Sequence, residues 1–386
     1  MKSCRRSEHL EFRHPITIAG IEVFPLRATS SVSPKMALGT MPSRPALLLR
    51  IEDTNGCFGW GEVWANFPPR ANIHKAHLIE DVVVQHLVGQ QFVDPSAIDE
   101  KLRRALSIYF LHIGQLQVFE HILAGIDIAL WDLALRSQGS TFAEFMGLEN
   151  ANAESYATSI NAEDLTELIP KHAALGQKYF KLKIGFAEHG NREIAEKASQ
   201  LCPPGTRIMV DSNQSWTLEQ AMQSLAALED FAPYFAEEPL PANAAKPDWE
   251  ALAGSTSIAL AGGENLYGIN EFVDMANAGV VVLQPDCAKW GGVSGALALA
   301  DALPEGTQIW PHFMGTAVGQ MAALAISACI GDSSACELDV NENQLRTELC
   351  GDALTVKNGQ VALPISPGLV QPPIERELLC CADVTS

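Results

Sequence analysis

The chain has 386 residues, of which 47% are hydrophobic and 19% are charged, and its formal net charge at pH 7 is −20. Such a composition is typical of a well-packed globular protein of one large or two ordinary domains, and it excludes a disordered chain. A surface this acidic repels nucleic acid and anionic membranes, which argues against both as partners, and a site for an anion needs its own local cations.

The N-terminus and the cysteines favour a cytoplasmic protein. Residues 1–14 are charged and lack the apolar core of a signal peptide, and no apolar run is long enough to span a membrane. The nine cysteines form no CxxC pair, and the adjacent Cys380 and Cys381 cannot easily bridge each other. Reduced thiols in the cytoplasm are the simplest interpretation.

Residues 1–150 have the pattern of an α+β unit. Residues 15–28 and 46–63 are strand-like, and a polar loop rich in Ser, Met and Pro separates them. Within the second segment, Asn55-Gly56 is typical of a hairpin turn. The later segment QVFEHILAGIDIALWDLALRSQG carries apolar side chains three and four positions apart, which predicts a helix.

From Tyr156 onward, short β-like runs alternate with helical stretches. The predicted strands are SYATSI, YFKLKIG, RIMVDSN, YFAEEPL, IALAGGEN, VVVLQPD, QIWPHF and ACELDV. Eight strands that alternate with helices imply parallel pairing, so we predict a (β/α)8 barrel over residues 151–352. Residues 353–386 no longer follow this pattern and are expected to pack back on the first half.

Charged side chains recur at the ends of these predicted strands, every 22 to 27 residues. They are Asp211, Glu237 or Glu238, Glu264, Asp286, His312 and Glu337. One strand, one helix and two loops need about this many residues, so the groups are expected at the C-terminal mouth of the barrel. A single acid at a strand end is usually a helix cap or a solvated loop residue. Six such groups at equivalent strand ends instead favour a functional site. A buried ring of acids also needs cations close to it.

Three of the acids, Asp211, Glu237 and Glu264, come from adjacent strands with no Cys or His among them. Ligands that are all oxygen suit a hard divalent cation, most simply Mg²⁺. Because side chains alternate along a strand, only one of Glu237 and Glu238 is expected to face inward. We favour Glu237 as the ligand and expect Glu238 to lie just outside the ligand shell. The reverse assignment is the alternative.

Lys181 and Lys183 are two residues apart on one predicted strand, so both point the same way. On an edge strand both would face solvent, but a closed barrel has no edges, so they are expected to face the acids. Close to Mg²⁺ the pKa of an ammonium group falls, which makes a lysine a candidate base.

His312 is a second candidate base. A lone histidine is more often structural than catalytic, but this one stands at a strand end and follows Asp286, at the end of the preceding strand. A carboxylate beside an imidazole fixes its tautomer and raises its basicity, so a His312–Asp286 dyad is expected.

An ordered set of short motifs spans nearly the whole chain. In the first half they are G-W-G-E at 59–62 and A-G-I-D-I-A-L-W-D at 124–132. In the second half they are K-x-K at 181–183, D-x-N at 211–213, E-E-P at 237–239, G-E-N at 263–265, Q-P-D-x-x-K-x-G-G at 284–292, P-H at 311–312 and E-L-D at 337–339. This set resembles the enolase superfamily, and more closely its mandelate racemase-like branch.

The resemblance implies a modified, enolase-like TIM barrel with an N-terminal α+β capping domain that the C-terminal segment completes. It implies Mg²⁺ as cofactor and a small carboxylate, such as a sugar acid or hydroxy acid, as the partner. Relatives are commonly dimers or octamers, so a homo-oligomer is expected.

The resemblance also implies a role for each residue of the mouth. The expected Mg²⁺ ligands are Asp211, Glu237 and Glu264. The base on one face of the substrate is Lys183, and His312, oriented by Asp286, acts on the other face. The substrate carboxylate is held by Lys181 and Asn213, and Glu337, which must carry a proton, donates to the other oxygen of that carboxylate.

The assignment to the mandelate racemase-like branch depends on Asp286, because muconate-lactonising and dipeptide-epimerising relatives have a catalytic lysine at this position. The shared reaction is abstraction of the proton α to a carboxylate, which gives an ene-diolate. Dehydration of a sugar acid ranks first; racemisation or epimerisation of a 2-hydroxy acid and cycloisomerisation of a sugar lactone stay open. The segment ELDVNENQLR is similar to a loop of acid-sugar and sugar-lactone members, with Gln344 in place of proline.

Two loops of the first half, residues 28–45 and 63–72, are expected to close over the barrel and set specificity. Trp64, Asn66 and Arg70 are the candidates to meet the substrate, although each fits an ordinary loop residue as well. Two other classes stay open. A Mg²⁺-dependent TIM-barrel hydrolase explains the acids but leaves K-x-K without a role, and a non-catalytic sugar-acid-binding protein would be expected to lack a base.

Overall fold

The computed structural model describes residues 10, 12–29, 35–36, 39–40, 43–185 and 190–383. Its first half contains the strands β1 (Ile16–Thr29), β2 (Lys35–Met36), β3 (Gly39–Thr40), β4 (Ser43–Asp53), β5 (Phe58–Val63) and β6 (Gln91–Phe92). Four of them form an antiparallel sheet in the order β5-β4-β1-β6, and β2 pairs with β3.

The predicted hairpin joins β4 to β5. Gly56 has φ +82°, a backbone conformation that glycine adopts without strain. The Asp53 carboxylate accepts hydrogen bonds from the backbone amides of Asn55 (2.8 Å) and Cys57 (2.9 Å). The turn is thus stabilised by local contacts, and the prediction from Asn55-Gly56 is confirmed.

The helices of the first half accompany its antiparallel sheet, and one of them packs directly on it. They are α1 (Ala71–Leu78), which continues through a π-helical turn (Ile79–Val83) into α2 (Val84–Leu87), then α3 (Ser96–His112), α4 (Leu116–Ser137) and α5 (Phe142–Met146). Helix α4 is the predicted apolar helix and is buried along most of its length. A Cβ added to Gly59 would collide with the backbone of Ala129, so the glycines of G-W-G-E let α4 lie directly on β5.

The second half is an α/β barrel, as predicted. Its eight strands are β7 (Asn152–Ile160), β8 (Tyr179–Lys183), β9 (Arg207–Asp211), β10 (Ala236–Glu237), β11 (Leu260–Gly262), β12 (Val280–Leu283), β13 (Gln308–Ile309) and β14 (Cys336–Asp339). Neighbouring strands from β7 to β13 are parallel, and β14 pairs in parallel with β7. Between β13 and β14 the ladder is replaced by one bond, from the Glu337 amide to the Pro311 carbonyl (3.4 Å).

Helices alternate with these strands across the described residues. They are α6 (Leu165–Ala174), α7 (Asn191–Leu201), α8 (Leu218–Leu228), α9 (Lys246–Ala253), α10 (Ile269–Asn277), α11 (Gly292–Ala302) and α12 (Ala317–Ile330). The first helix after β14 is the short α13 (Gln344–Thr347). Inside the barrel, Tyr156, Met209, Phe235, Val282 and Trp310 pack together as a buried cluster. The barrel is therefore a filled core whose polar groups lie at the C-terminal ends of its strands.

The C-terminal segment contacts the first half, and it contacts the barrel as well. Its elements are β15 (Val356–Lys357), β16 (Gln360–Ala362) and α14 (Glu375–Cys380). Strand β16 pairs antiparallel with the start of β7. The chain then reaches the first half, where Ala382 bridges Leu26 and the Asp383 carboxylate lies 2.8 Å from the Arg27 guanidinium. Domain boundaries near residues 150 and 352 stay predictions.

The structure bears on two expectations from the sequence, one about membrane-spanning segments and one about the cysteines. In the described part of the chain no helix has both the length and the apolar character needed to cross a membrane. Most of the cysteines found there are free thiols, but Cys329 is disulfide-bonded, which the expectation of reduced thiols does not account for.

Candidate active site

The register of three strands places three charged side chains side by side at the barrel mouth. Lys183 at the end of β8 pairs with Asp211 at the end of β9, and Asp211 pairs with Glu237 at the end of β10. Paired residues of parallel strands point to the same face of a sheet. The sequence prediction that these groups meet at one end of the barrel is therefore matched by their register.

Lys181 lies one layer deeper and is almost fully buried. Its Nζ is 2.7 Å from both carboxylate oxygens of Glu237 and 2.7 Å from Oε1 of Glu337. Burial opposes the charge of this lysine, but Glu237 and Glu337 outweigh burial and hold the pKa of Lys181 well above its ordinary value. Lys181 is thus a fixed ammonium group that links the acids of β10 and β14.

Lys183 is the more accessible of the two lysines. Its Nζ donates to Oδ2 of Asp211 (2.6 Å) and to Oδ1 of Asn213 (2.8 Å). Burial alone would lower its pKa, but Asp211 raises the pKa of Lys183. The pKa of Lys183 is thus raised by Asp211, whereas Mg²⁺ beside it was expected to lower that pKa. Asn213 contacts Lys183 and Asp211, and its expected role toward the substrate carboxylate stays a prediction.

His312 forms the expected pair with Asp286. Its Nδ1 is 2.9 Å from Oδ2 of Asp286, and the other carboxylate oxygen accepts from the backbone amides of Ala288 (2.9 Å) and Lys289 (3.2 Å). The opposite ring nitrogen, Nε2, is 2.9 Å from Glu264 and 3.3 Å from Glu337. Burial opposes protonation, but Glu264 and Glu337 raise the pKa of His312 well above its ordinary value.

The Glu237 and Glu238 carboxylates differ in their partners. Strand β10 ends at Glu237, and Glu238 has φ +42°, so strand alternation does not govern the second side chain and both carboxylates are buried. Glu237 contacts Lys181 and also accepts from Gln284 Nε2 (2.5 Å). Glu238 accepts from the amides of Gln214 (3.0 Å) and Asn265 (3.1 Å). Burial raises the pKa of Glu237 to about 7 and raises that of Glu238 well above its ordinary value. Glu237 is thus the acid of the pair that contacts Lys181.

The three acids assigned to Mg²⁺ are engaged with amines and an imidazole. Among the described residues, no three His, Cys, Asp or Glu side chains are grouped as a ready metal site. Asp211 and Glu237 face the two lysines of β8, and Glu264 contacts Lys289 (3.1 Å) and His312. By donor chemistry, three carboxylates with the unpartnered buried oxygen of Gln284 beside them fit a hard cation. Each now has a cationic neighbour instead.

Two buried acids of the first half hold the helices that follow the dyad. Glu62 accepts from the amides of Thr316 (2.9 Å) and Gly319 (3.0 Å) at the start of α12. Asp127 accepts from the amides of Val293 (2.7 Å) and Ser294 (3.0 Å) at the start of α11. Burial raises the pKa of each acid to about 7. Both acids belong to motifs noted in the sequence without a role; an acid inside an otherwise apolar segment is the signal that could have revealed one.

A second group of residues was not predicted from the sequence, apart from Trp64. We define the capping-side cluster as Trp64, Lys75, His121 and Tyr267. The Lys75 Nζ donates to the Trp64 carbonyl and is 2.8 Å from His121 Nδ1, and His121 Nε2 is 3.0 Å from the Tyr267 hydroxyl. The four residues come from unconnected segments, so no spacing in the sequence marks them.

The specificity loops are only partly described. Residues 30–34, 37–38 and 41–42 of the first loop lie outside the described residues. In the second loop, Trp64 joins the capping-side cluster, and Asn66 Nδ2 donates to the Met314 carbonyl (2.5 Å), two residues after His312. Arg70 is exposed at the residue before α1. A role for these residues toward substrate stays a prediction.

The chain matches two family models that together cover most of its length. Residues 20–147 match the mandelate racemase / muconate lactonizing enzyme N-terminal domain, and residues 164–371 match the enolase C-terminal domain-like family. The matches meet near the point where the sheet of the first half gives way to the barrel.

Individual relatives agree with these matches. The chain is 29% identical over 344 residues to a D-galactarolactone cycloisomerase of Agrobacterium fabrum, an alignment that covers 84% of this chain and 88% of the relative. It is 27% identical over 301 residues to an L-talarate/galactarate dehydratase of Salmonella typhimurium, with 74% and 73% covered. A crystal structure of a mandelate racemase/muconate lactonizing enzyme from Bordetella bronchiseptica is 33% identical, has a TM-score of 0.86, and matches over 95% of this chain and 100% of that one.

Proposed function

Because the chain belongs to the mandelate racemase and muconate lactonizing enzyme family of the enolase superfamily, we propose that it removes the proton α to a carboxylate of a sugar acid and then dehydrates the acid. The observation that carries this proposal is one connected cluster of charges. Lys181 contacts Glu337 (2.7 Å), which lies 3.3 Å from His312, while Lys183 stands beside them on the same strand as Lys181. Two candidate bases and the groups that would hold a carboxylate therefore share one barrel mouth.

Asp211, Glu237 and Glu264 are the residues that would hold Mg²⁺. When bound there, the ion would supply positive charge where the substrate carboxylate gains negative charge, and it would compensate Asp211, the acid that now keeps Lys183 protonated. Preorganised charge of this kind usually contributes more to catalysis than any other single effect.

The chain's own residues account for the proton transfers. Lys181 donates to the substrate carboxylate, and a protonated Glu337 donates to it as well. Lys183, as the free amine, takes the α-proton from one face. His312, whose Nδ1–H is held by Asp286, carries a proton at Nε2 toward the leaving β-hydroxyl on the other face.

A second candidate, cycloisomerisation of a sugar lactone, uses the same residues. It is favoured by the similarity to the D-galactarolactone cycloisomerase over 84% of the chain. In that reaction His312 would give its proton to the ring oxygen that leaves the β-carbon, and water would not be released. Racemisation would instead return a proton to the α-carbon from the opposite face.

The test is incubation of the protein with Mg²⁺ and a panel of sugar acids and lactones in D2O, followed by NMR. We expect exchange of the α-proton together with loss of water for at least one acid. Exchange with ring opening indicates the cycloisomerase, and exchange with inverted stereochemistry indicates the racemase. Hydrolysis without exchange would support a Mg²⁺-dependent hydrolase, and binding without exchange would support a non-catalytic binding protein; either result overturns the proposal.

A further inference from the structure

Lys75 is a buried lysine that has no acidic partner among the described residues. Its side chain lies on α1, only 3% of the residue is exposed, and its Nζ contacts the Trp64 carbonyl and His121. No carboxylate of the described residues forms an ion pair with it, whereas Lys181, Lys183 and Lys289 each have one. Unpaired lysines are almost never buried, because burial removes the hydration of the charge.

The lysine lies next to the candidate active site. The Trp64 ring carries two ammonium groups, with Lys75 Nζ 4.8 Å and Lys289 Nζ 4.9 Å from its centroid. Lys289 in turn contacts Glu264 (3.1 Å), which contacts His312 Nε2 (2.9 Å). The capping-side cluster therefore borders the His312 side of the barrel mouth.

The cluster presents donors rather than acceptors. If the Lys75 ammonium donates to His121 Nδ1, the ring proton must be on Nε2 and points at the Tyr267 oxygen (3.0 Å). The Tyr267 hydroxyl proton is then free to donate elsewhere. Burial and the charge of Lys289 lower the pKa of Lys75 to about 7, and burial and Lys75 lower that of His121 well below its ordinary value. Within the described part of the chain, the charge that acts on Lys75 is the cation Lys289, and no anion faces it.

We propose that Lys75 and Tyr267 bind a second carboxylate, at the far end of the substrate from the carboxylate held by Lys181, so that the preferred substrates are dicarboxylic sugar acids or their lactones. This rests on the proposed function, which places the first carboxylate. An anion beside Lys75 and Lys289 relieves their mutual repulsion and gives the buried ammonium its missing partner. In a chain of net charge −20, such a local cation is also what a dianionic substrate requires.

The experiment compares galactarate, which has a carboxylate at each end, with galactonate, which has a hydroxymethyl group in place of one of them. We expect Lys75→Met to lower the ratio of kcat/KM for galactarate to that for galactonate by about 10- to 100-fold, the range of a charge-assisted hydrogen bond. Lys197→Met, at an exposed lysine on α7, is the matched control and should leave the ratio as in the wild type. A ratio that Lys75→Met does not change overturns the proposal.

Binding measurements separate this inference from the proposed function. If neither acid exchanges its α-proton, the kcat/KM ratio cannot be measured, and calorimetric titration with galactarate decides the role of Lys75, while the wider panel decides the proposed function. Binding that is weakened by Lys75→Met but not by Lys197→Met supports the second carboxylate site. Equal binding by wild type and Lys75→Met overturns it, as does a wild type that binds galactarate no better than galactonate. Lys75→Gln serves if the methionine variant does not fold, as judged by its circular dichroism.

Discussion

The barrel mouth and the capping-side cluster use buried lysines in opposite ways. At the mouth, Lys181 and Lys183 face carboxylates, which raise the pKa of both lysines. In the capping-side cluster, Lys75 faces a neutral imidazole and a carbonyl, and its pKa falls to about 7. Each lysine of the mouth has a carboxylate partner. Lys75 has none among the described residues, so its partner is expected to arrive with the substrate.

The largest loss of activity is expected when Lys183, the proposed base of the barrel mouth, is removed. Lys183→Ala removes the base proposed for one face, and a positioned base contributes about 10²- to 10⁴-fold. We expect α-proton exchange in D2O, followed by NMR, to fall by at least about 10²-fold. Circular dichroism controls for folding. A variant that keeps more than a tenth of the wild-type exchange rate would remove Lys183 from the mechanism.

A pair of variants in chelator-treated protein contrasts the two regions through stability. Lys181→Met leaves the buried Glu237 and Glu337 without their shared cation, so the free energy of unfolding should fall by roughly 3–5 kcal/mol. Lys75→Met removes a buried charge that has no partner and should raise it by ~1 kcal/mol or more. Urea unfolding measures both. Changes of the same sign in the two variants would contradict the distinction between the regions.

Asp286→Asn probes orientation of the imidazole within the mouth. The amide preserves the shape of the side chain but no longer stabilises a protonated His312, so turnover should fall by about 10²-fold or more. Exchange on the face served by Lys183 should persist, because that base is untouched. The stereochemistry of the deuterated product separates the two faces. Equal loss of exchange on both faces would mean that Asp286 supports the fold rather than His312.

A pH-dependent effect is expected at Glu62. This residue is an acidic counterpart of Lys75, because its carboxylate accepts hydrogen bonds from neutral donors at the start of α12. Unfolded glutamate loses its proton near its ordinary pKa, but folded Glu62 keeps it up to about pH 7. Stability is therefore fully present at low pH and declines as the pH rises to about 7. We expect wild type to lose roughly 2 kcal/mol relative to Glu62→Gln between pH 5 and 8. A difference in unfolding free energy that is constant with pH would contradict this.

The sequence predicted those features that are repeated or local. Eight strands, their helices and the charged residues at the strand ends follow from period and spacing, because each βα unit repeats the same plan. The Asn55-Gly56 turn is likewise a local choice. The backbone dihedral angles after the end of β10 were not predictable. Glu238 has a positive φ there, and its side chain is therefore buried beside Glu237 instead of pointing away.

Contacts between distant segments were not predictable. Glu62 accepts from Thr316, 254 residues later, and His121 meets Tyr267 across 146 residues. Such pairs depend on how α4 and α1 pack against the barrel, which no pattern in one sequence encodes. The same holds for β16, which the chain adds to the start of β7 before it returns to the first half.

The most direct test of the central claim is a crystal structure of the protein with Mg²⁺ and an unreactive dicarboxylic analogue. We expect the ion on Asp211, Glu237 and Glu264, and the α-carbon between Lys183 Nζ and His312 Nε2. We also expect the far carboxylate on Lys75. An α-carbon that lies out of reach of either base, or an ion bound by other residues, would contradict the proposed mechanism.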